Sequence, residues 1–370
     1  MSHFDRGIST ALAPQGVEGC DSVSAMAAPL ALFNGSYVGR RPTGIGVVAR
    51  ELSAQLDPQL VPALWPEGMA PDQGRAGHWR RLRWTQQQLP KLWRASGAGL
   101  LLSPLPEAPL LAGVPSVVLA HDLLPLRYPQ LTPLLAYHLF YVPLVLQRAR
   151  HVLCNSEATA REVHGRLRVP LRRLSVLRLG FNPGSLRPLG LPRAPEWLVL
   201  GRHDPHKNLM RLIRAFAGLR DRQHRLHFVG PHDPRYTPQL QRLAAELGVE
   251  SRCSWTAWVS DEERLQLLNR ARALLIPSLW EGFGLPALEA MACGTPVLAA
   301  RSGALPEVVG DAAVLLDPRD QAQMGDCMEA FLADGALQQR LQQAGPLRAA
   351  QFSWSAAAAA LTARLRELQP

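Results

Sequence analysis

Short apolar runs alternate with longer segments of mixed polarity along most of the chain. In the first half, runs bounded by turn or polar residues predict buried strands at 29–35, 99–103, 115–121, 151–156 and 174–180. The segments between them predict helices at 44–56, 78–89, 132–149 and 156–165. Apolar strands separated by helices are typical of a parallel sheet with helices on both of its faces.

The alternation stops at residues 180–196, which are rich in Gly and Pro as a linker between domains is. It then restarts, with strands predicted at 196–201, 225–230, 252–259, 273–278, 295–300 and 312–317, and helices at 207–219, 237–247, 260–270, 286–292 and 353–368. We therefore predict an α/β protein with two doubly wound parallel-sheet domains. Their predicted bounds are 29–185 and 186–350, and a last helical segment occupies 351–370.

The start of the chain, residues 1–28, lacks this periodicity and is predicted to be a disordered or loosely packed extension. Met26, just before the first apolar run, is an alternative start, and no secretory signal is recognisable. The apolar run 134–146 is too short to span a bilayer and contains His138 and Pro143, so it predicts a buried helix. A cytoplasmic location follows, with peripheral contact at the inner face of the membrane left open.

Composition narrows the classes of function. The 370 residues are 47% hydrophobic and 19% charged, which is enough apolar material for two cores. A net charge of +10 suits nucleic acid, an anionic membrane or phosphorylated small molecules as partners. The basic residues are scattered and match no nucleic-acid-binding motif, which argues against nucleic acid. The five cysteines have no CxxC or metal-ligand spacing and are expected to be reduced thiols.

Ligands of parallel sheets bind at the carboxyl ends of strands, and three segments at such positions carry suitable side chains. In the first, "GRHDPHKNL" (201–209), Arg202 and Lys207 stand before or at the start of a helix. A helix N-terminus favours anions, and an added guanidinium and ammonium predict a diphosphate site there. The alternative is a pair of solvated loop charges.

The second segment, "LWEGFGLPALEAMACGTPVLAA" (279–300), places Glu281 in a loop and Glu289 one turn into a helix. Gly282 and Gly284 allow the backbone to approach a ligand closely. A carboxylate accepts two hydroxyl hydrogen bonds, which is what a vicinal diol of a sugar or ribose offers. Together with the diphosphate site, the two carboxylates predict a nucleotide sugar as the ligand. Surface acids, or a pair for general acid/base hydrolysis, are the alternatives.

In the third segment, "LAHDLLPLRYP" (119–129), His121 ends a strand and is a candidate for contact with the ligand across a cleft. A structural histidine is the alternative. "RPTGIGVVAREL" (41–52) adds a glycine-rich turn before a helix, although as a dinucleotide motif it is incomplete. No pair of acidic residues of the DxD type is evident.

The segment "HWRRLRWTQQQLPKLWR" (78–94) interleaves arginines with tryptophans. Its apolar residues recur at helical spacing, at Trp79, Leu82, Leu89 and Trp93. Either this stripe packs on the core of the first domain and the arginines are solvated, or the segment lies on anionic lipid. Packing is the favoured interpretation, because Pro90 shortens the helix.

Taken together, these segments resemble the retaining glycosyltransferases of family 4, which have the two-domain GT-B architecture. Glu281 and Glu289 match the family's E-x7-E element. Further matches are "GRHDPHKNL", "NSEATAREV" (155–163), "WVSDEERLQLLNRARALLIPS" (258–278), "GALPEVVGDAAVLLDP" (303–318) and "FSW" (352–354). "TGIG" and "HDLLPLRYP" resemble the branch of mannosyl- and rhamnosyltransferases of O-antigen and capsule biosynthesis. Thr43 departs from the Gly-Gly found in many relatives, so a contact there is expected to differ.

The resemblance implies a role for each matching residue. Arg202 and Lys207 would hold the diphosphate and stabilise its charge as it leaves, so the resemblance implies that neither a metal nor a cofactor is needed. The donor sugar would be held by Glu281 and contacted by His121 near the reacting carbon. The other implied donor contacts are the backbone N–H groups of Phe283, Gly284 and Leu285 to the sugar, Glu289 to the ribose, Val259 and its neighbours to the base, and Gly44 and Gly46 to the phosphates.

The implied reaction is the transfer of a hexose with retention to a hydroxyl of a glycan or lipid-linked acceptor, which the first domain would bind. GDP-mannose is the expected donor, ahead of UDP and dTDP sugars. The last helix would cross back to the first domain, with Phe352 and Trp354 at the crossing. A sugar-nucleotide epimerase and a non-catalytic nucleotide-sugar-binding protein are the alternatives.

Overall fold

The computed structural model describes residues 28–39, 44–69, 74–129 and 135–369. Except for Ala28, the expected extension at 1–28 lies outside these residues, and so does Thr43. The strands of the first half are β1 (Ala31–Asn34), β2 (Ala63–Leu64), β3 (Leu100–Ser103), β4 (Ser116–Ala120), β5 (His151–Cys154) and β6 (Leu174–Val176). Those of the second half are β7 (Glu196–Leu200), β8 (Arg225–Val229), β9 (Cys253–Thr256), β10 (Ala273–Ile276), β11 (Val297–Ala300) and β12 (Val314–Leu316).

These strands form two six-stranded sheets with the orders β2-β1-β3-β4-β5-β6 and β12-β11-β10-β7-β8-β9. Every pair between neighbours among these strands is parallel. The central strands are buried along their whole length, as the four residues of β3 and the five of β4 are, because helices cover both faces. The prediction of two doubly wound parallel sheets is therefore confirmed.

The helices of the first half are α1 (Ile45–Ala54), α2 (Gly74–Gln87), α3 (Leu89–Ser96), α4 (Leu124–Arg127), α5 (Val142–Arg148) and α6 (Glu157–Leu167). Those of the second half are α7 (Leu209–Gly218), α8 (Thr237–Glu246), α9 (Asp261–Arg270), α10 (Leu285–Ala292), α11 (Leu305–Val309), α12 (Gln321–Ala333), α13 (Gly335–Ala349) and α14 (Trp354–Glu367). The pattern of apolar positions did not predict β2, α4, α11, α12 or α13, which lack a clear apolar stripe or are very short.

The basic segment 78–94 differs from its predicted form in two respects. The chain breaks at Gln88 into α2 and α3, with Pro90 in the first turn of the second helix. The favoured interpretation gave the arginines to solvent, which is wrong for Arg81, since only 3% of it is exposed. Conversely, Trp79 was placed in the packed stripe, yet 59% of it is exposed.

The apolar run 134–146 is helical where the structure describes it, but it is buried only in part, at Val142, Val145 and Leu146. Its described part starts at Leu135, passes through a π-helical turn at Tyr137–Tyr141 and continues as α5. Leu139 and Phe140 point to solvent, with 40% and 72% of their surface exposed. Within the described ranges, no helix combines the length and the apolar character that crossing a membrane requires.

The end of the chain returns to the first sheet. Helix α14 packs against α1, and Ser353 pairs with Phe181 in an isolated parallel bridge. The guanidinium of Arg150 donates to the carbonyl of Leu368 at 2.8 Å. Phe352 meets the ring of Phe283 edge-on at a centroid distance of 6.0 Å. The last helix thus packs on the first half of the molecule, and Phe352, just before it, contacts the loop that follows β10.

Candidate active site

The loop after β10 touches the carboxyl end of β4, so the edges of the two sheets at which the strands end face each other. Gly282 lies at the contact. A Cβ atom built on it would come within 2.1 Å of the His121 carbonyl oxygen and 2.9 Å of Asp122 Cβ. Real Cβ atoms do not make such contacts, so this closeness requires glycine.

Further bonds join the two halves at the N-terminus of α6. Ser156 caps this helix and also donates its Oγ–H to the Gly282 carbonyl at 2.7 Å. From the second half, the carboxylate of Glu307 accepts the backbone N–H groups of Glu157 at 3.1 Å and Ala158 at 3.2 Å. A carboxylate suits this position, because the first N–H groups of a helix lack internal partners and carry partial positive charge.

Helix α4 adds a stacked contact to the same interface. The guanidinium of Arg127 lies 3.7 Å from the centre of the Trp280 ring. It also forms an ion pair with the carboxylate of Glu162 at 2.8 Å. Sequence reasoning quoted the segments that contain Arg127, Ser156 and Glu307 but assigned these residues nothing. A serine that caps a helix and an arginine on a surface can each be explained by their neighbours in the sequence. Their partners in the other half are more than a hundred positions away, and no local pattern indicates such contacts.

Two residues predicted to bind donor, Lys207 and Glu281, form an ion pair at the base of this interface. Lys207 Nζ donates to Glu281 Oε1 at 2.6 Å, and Ser278 Oγ donates to the same oxygen at 2.6 Å. Burial alone would raise the pKa of Glu281, but Lys207 and Ser278 outweigh it and hold that pKa below its ordinary value. Glu281 is therefore a carboxylate, and its second oxygen, Oε2, accepts no hydrogen bond from the residues that the structure describes.

The position of Lys207 is fixed by Asn208, which sequence reasoning also missed. The 3-10 turn Pro205–Lys207 ends at Asn208, whose φ of 61° is left-handed. Its buried amide donates to the carbonyls of Pro277 at 2.9 Å and Pro318 at 2.7 Å. Asparagine tolerates this conformation better than most residues, and that preference directly before a helix was the available signal.

Arg202 lies at the open side of the same site. Its side chain is 65% exposed and pairs with Asp204 at 3.1 Å. Arg202, Lys207 and Glu281 together line one narrow pocket of about 10 Å³ at the ends of β7 and β10. His203, to which no role was assigned, is buried and bonds Thr237 Oγ1 at 2.8 Å.

Glu289 lies on the first turns of α10 and is not a free carboxylate. Arg264 of α9 donates to its Oε1 at 3.0 Å, and the same guanidinium bonds Asp261 at 3.1 Å. Burial outweighs this pairing and raises the pKa of Glu289. Val259, the candidate for contact with the base, is half-buried in the loop between β9 and α9.

His121 is buried at the carboxyl end of β4. Its Nε2 lies 2.7 Å from the carbonyl of Pro104, which can only accept, so Nε2 carries the proton. Burial lowers the pKa of His121 to about 4, and the ring is neutral at neutral pH. Its Nδ1 is therefore a hydrogen-bond acceptor, suited to a hydroxyl rather than to a phosphate.

The remaining donor-binding candidates lie at helix starts. Gly44, with a φ of 51°, precedes α1 and is exposed, whereas Gly46 is buried in the first turn. Gly284, with a φ of 93°, precedes α10, which begins at Leu285. Phe283 is buried. Across the residues that the structure describes, no cluster of three or more His, Cys, Asp and Glu side chains could hold a metal ion.

Two families match the chain. Residues 42–184 match the family described as Glycosyltransferase Family 4, and residues 189–348 match that described as Glycosyl transferases group 1. The first match takes in β2 to β6 and the second takes in β7 to β12, and the boundary between the two matches falls in the linker. The two halves of the candidate site therefore come from the two matched regions.

The chain is similar to several curated proteins but spans about half or less of their length. The "MMP alpha-(1->4)-mannosyltransferase" of Mycolicibacterium hassiacum is 35% identical over 221 residues, 58% of this chain and 53% of the relative. The "D-inositol 3-phosphate glycosyltransferase" of Corynebacterium efficiens is 38% identical over 192 residues, 50% and 45% of the two chains. The "Serotype-specific mannosyltransferase WbdA" of Escherichia coli is 34% identical over 162 residues, 43% and 20%.

Solved structures share the whole architecture. Sucrose-phosphate synthase from Thermosynechococcus elongatus superposes with a TM-score of 0.71 at 21% identity, covering 92% of this chain and 98% of that one. HepE from Anabaena, in complex with UDP and glucose, gives 0.69 at 19% identity and covers 91% and 99%. At such identities the likeness establishes the fold alone, which is GT-B.

Proposed function

The chain belongs to the glycosyltransferases of family 4 and group 1, and on that premise we propose that it transfers a hexose from a nucleoside diphosphate sugar to a hydroxyl acceptor. The observation that carries the proposal is the juxtaposition of Lys207, Arg202 and Glu281 in one pocket at the ends of β7 and β10. Two cations and a carboxylate at that point suit a diphosphate joined to a sugar.

Mannose from GDP-mannose is the proposed donor. Several relatives are named as mannosyltransferases, and this supports mannose as the sugar. The guanine base would lie near Val259, and Glu289 would accept the ribose hydroxyls through the oxygen that Arg264 leaves free. The acceptor would be a glycan or a lipid-linked saccharide.

In the proposed mechanism, Lys207 and Arg202 stabilise the negative charge that develops on the leaving diphosphate, with no metal or cofactor. The acceptor oxygen forms the new bond to the anomeric carbon as the bond to the phosphate oxygen breaks with its electron pair. The acceptor proton passes to a donor phosphate oxygen. His121 Nδ1 accepts a hydrogen bond from a donor sugar hydroxyl. We propose front-face attack with retention, which trapping of a glycosyl-enzyme adduct by mass spectrometry would contradict.

Nucleoside diphosphates should stabilise the folded protein, with GDP more effective than UDP, dTDP or ADP. A ligand at about 100 times its Kd adds about 2.7 kcal/mol to the free energy of unfolding, and a thermal-shift assay detects this readily. Removing Arg202 by Arg202→Ala should abolish the shift, whereas Arg220→Ala, at a 94% exposed side chain far from the pocket, should leave it intact. A second assay then distinguishes a transferase from a protein that only binds nucleotide sugars. A transferase should slowly hydrolyse GDP-mannose and release GDP, whereas a binding protein should not.

Contact with an anionic membrane surface is a further proposal, based on the exposed part of α2. Arg80 and Arg83 are exposed beside Trp79, whereas Arg81 is not available to lipid. The variant Arg80→Ala/Arg83→Ala should therefore weaken flotation with vesicles of anionic lipid, because each basic residue near such a surface contributes about 1 kcal/mol. Equal flotation of this variant and the original protein would dismiss the proposal.

A further inference from the structure

The end of α4, in the first half of the molecule, touches the second half at two consecutive residues. The guanidinium of Arg127 lies over the ring of Trp280, 3.7 Å from its centre. The next residue, Tyr128, stacks on the ring of His206, with the ring centroids 6.2 Å apart and an angle of 22° between the planes. Both distances lie in the ranges over which cation–π and aromatic pairs attract each other. Arg127 and Tyr128 are called the α4 clamp below.

The partners of the α4 clamp stand directly before the two residues of the ion pair in the candidate donor site. Trp280 precedes Glu281, and His206 precedes Lys207. The two segments are also joined to each other, because the N–H of Leu279 donates to the His206 carbonyl at 2.7 Å. A displacement of either partner would therefore move the backbone that carries the ion pair.

The first half of the molecule fixes the orientation of Arg127. Its Nε and Nη2 atoms donate to Glu162 Oε1 at 3.0 and 2.8 Å. The side chain of Glu162 is buried, and the same oxygen accepts a bond from Arg166 Nε at 2.9 Å. Two hydrogen bonds from one planar guanidinium restrict the orientation of its plane. Trp280 therefore packs against a cation whose position is set by α6 of the first half.

The charges around the α4 clamp favour a role in geometry over a role in binding the nucleotide. Burial and the neighbouring Lys207 lower the pKa of His206, so its ring is neutral at neutral pH and adds no cation for a diphosphate. The charge of Arg127 is already matched by the Glu162 carboxylate. The cations proposed to bind the diphosphate, Arg202 and Lys207, both belong to the second half.

We propose, building on the transferase function proposed above, that Arg127 and Tyr128 are positioning residues for the reaction. They act through Trp280 and His206 and not by contact with the donor. While the α4 clamp is in contact with the second half, the ion pair keeps the arrangement in which the bond to the leaving diphosphate breaks. The rate of bond cleavage should therefore depend on the α4 clamp, whereas the affinity for the nucleotide should not.

Hydrolysis of GDP-mannose by water, followed as release of GDP, measures this rate without a saccharide acceptor. Arg127→Met should lower kcat about tenfold, as loss of one desolvated cation–π contact predicts. Tyr128→Leu should lower it about fivefold, in line with loss of one aromatic pair. Tyr128→Phe, which keeps the ring, should retain the original rate. The affinity for GDP, measured by titration calorimetry, should stay unchanged in all three variants.

Arg166→Met is the matched control, because it removes the other guanidinium that bonds Glu162 Oε1. It should alter neither the rate nor the affinity for GDP. Conversely, Arg166 still pairs with Glu162 when Arg127 is replaced, so no buried carboxylate is left without a cation and the variant should fold. Circular dichroism checks the fold of each variant.

Hydrogen–deuterium exchange followed by mass spectrometry adds a readout that needs no donor. In Arg127→Met/Tyr128→Leu, the amides of the loop 279–284 should exchange faster than in the original protein and in Arg166→Met. Equal exchange and equal hydrolysis in the folded double variant would overturn the proposal. A loss of GDP affinity as large as the loss of rate would overturn it too, because the two residues would then serve nucleotide binding.

The proposed function can fail separately from this inference. If the original protein neither bound GDP nor hydrolysed GDP-mannose, that result would count against the proposed function. The exchange of the loop 279–284 would still decide whether the α4 clamp holds the segment that carries Glu281 in place.

Discussion

Replacing Lys207 by methionine should lower the rate of sugar transfer by about a thousandfold, the upper range for loss of one preorganised charge at a developing anion. Lys207 is the partner of Glu281 at 2.6 Å and lies at the site proposed for the diphosphate. The chain has only two lysines, and the other one, Lys91, is exposed on α3. Lys91→Met is therefore a close control and should retain full activity. Steady-state release of nucleotide in the presence of acceptor measures both variants.

The same variant separates a catalytic role from a structural one. Without Lys207, the Glu281 carboxylate is buried without a counter-charge, and its folded pKa should rise above its unfolded value. The unfolded chain then loses its proton first, so the stability deficit of Lys207→Met should grow as the pH rises from about 4 to 7. Lys207→Met/Glu281→Gln should remove this pH dependence of the melting temperature without restoring transfer. Restored transfer in the double variant would mean that Lys207 acts only by neutralising Glu281.

The sequence predicted best what depends on local pattern. The strands β3, β4 and β10 are buried along their whole length because both faces of their sheets are covered, so their residues are almost all apolar. Such apolar runs can be recognised in the sequence without knowledge of the neighbouring strands. Lys207 and Glu281 were assigned to one ligand because the segments that carry them both follow strands of one parallel sheet, whose carboxyl ends share an edge. The structure places them 2.6 Å apart, whereas their roles toward a ligand stay predictions.

What the sequence could not predict depends on partners that are distant in the chain. In the sequence, Arg81 looks like one more surface arginine of a basic helix. In the structure it is buried in a bidentate ion pair with Glu107, which lies in a loop without periodicity. Phe140 looks like a core residue until the π-helical turn rotates it outward. The contacts of Ser156 with Gly282 cross between the two halves, and spacing within either half does not encode them.

These contacts link the donor loop to the first sheet. The Gly282 carbonyl accepts from Ser156, while the carbonyl of Glu281 accepts the N–H of Ala304 at 3.0 Å. Consecutive peptide groups of one loop are thus held from opposite sides, one by each half of the molecule. The orientation of the Glu281 side chain therefore depends on how closely the two halves approach each other.

Replacing Gly282 by alanine should lower transfer by about a hundredfold, which is the typical effect of displacing a reacting group by about 1 Å. The added Cβ would lie 2.1 Å from the His121 carbonyl oxygen, and since the obstacle is backbone, no rotamer change relieves it. The loop must withdraw from β4, and the separation of the two halves should increase. Small-angle X-ray scattering should then report a larger radius of gyration than that of the original protein.

The control is Gly335→Ala at the start of α13, where a new Cβ meets open space. This change should keep activity and raise the melting temperature slightly, because alanine restricts the unfolded chain more than glycine does. In Gly282→Ala, each sheet keeps its own core, so helical content by circular dichroism should remain unchanged while transfer falls. Full transfer with an unchanged radius of gyration in Gly282→Ala would show that the close approach of the Gly282 loop to β4 is not needed for the reaction.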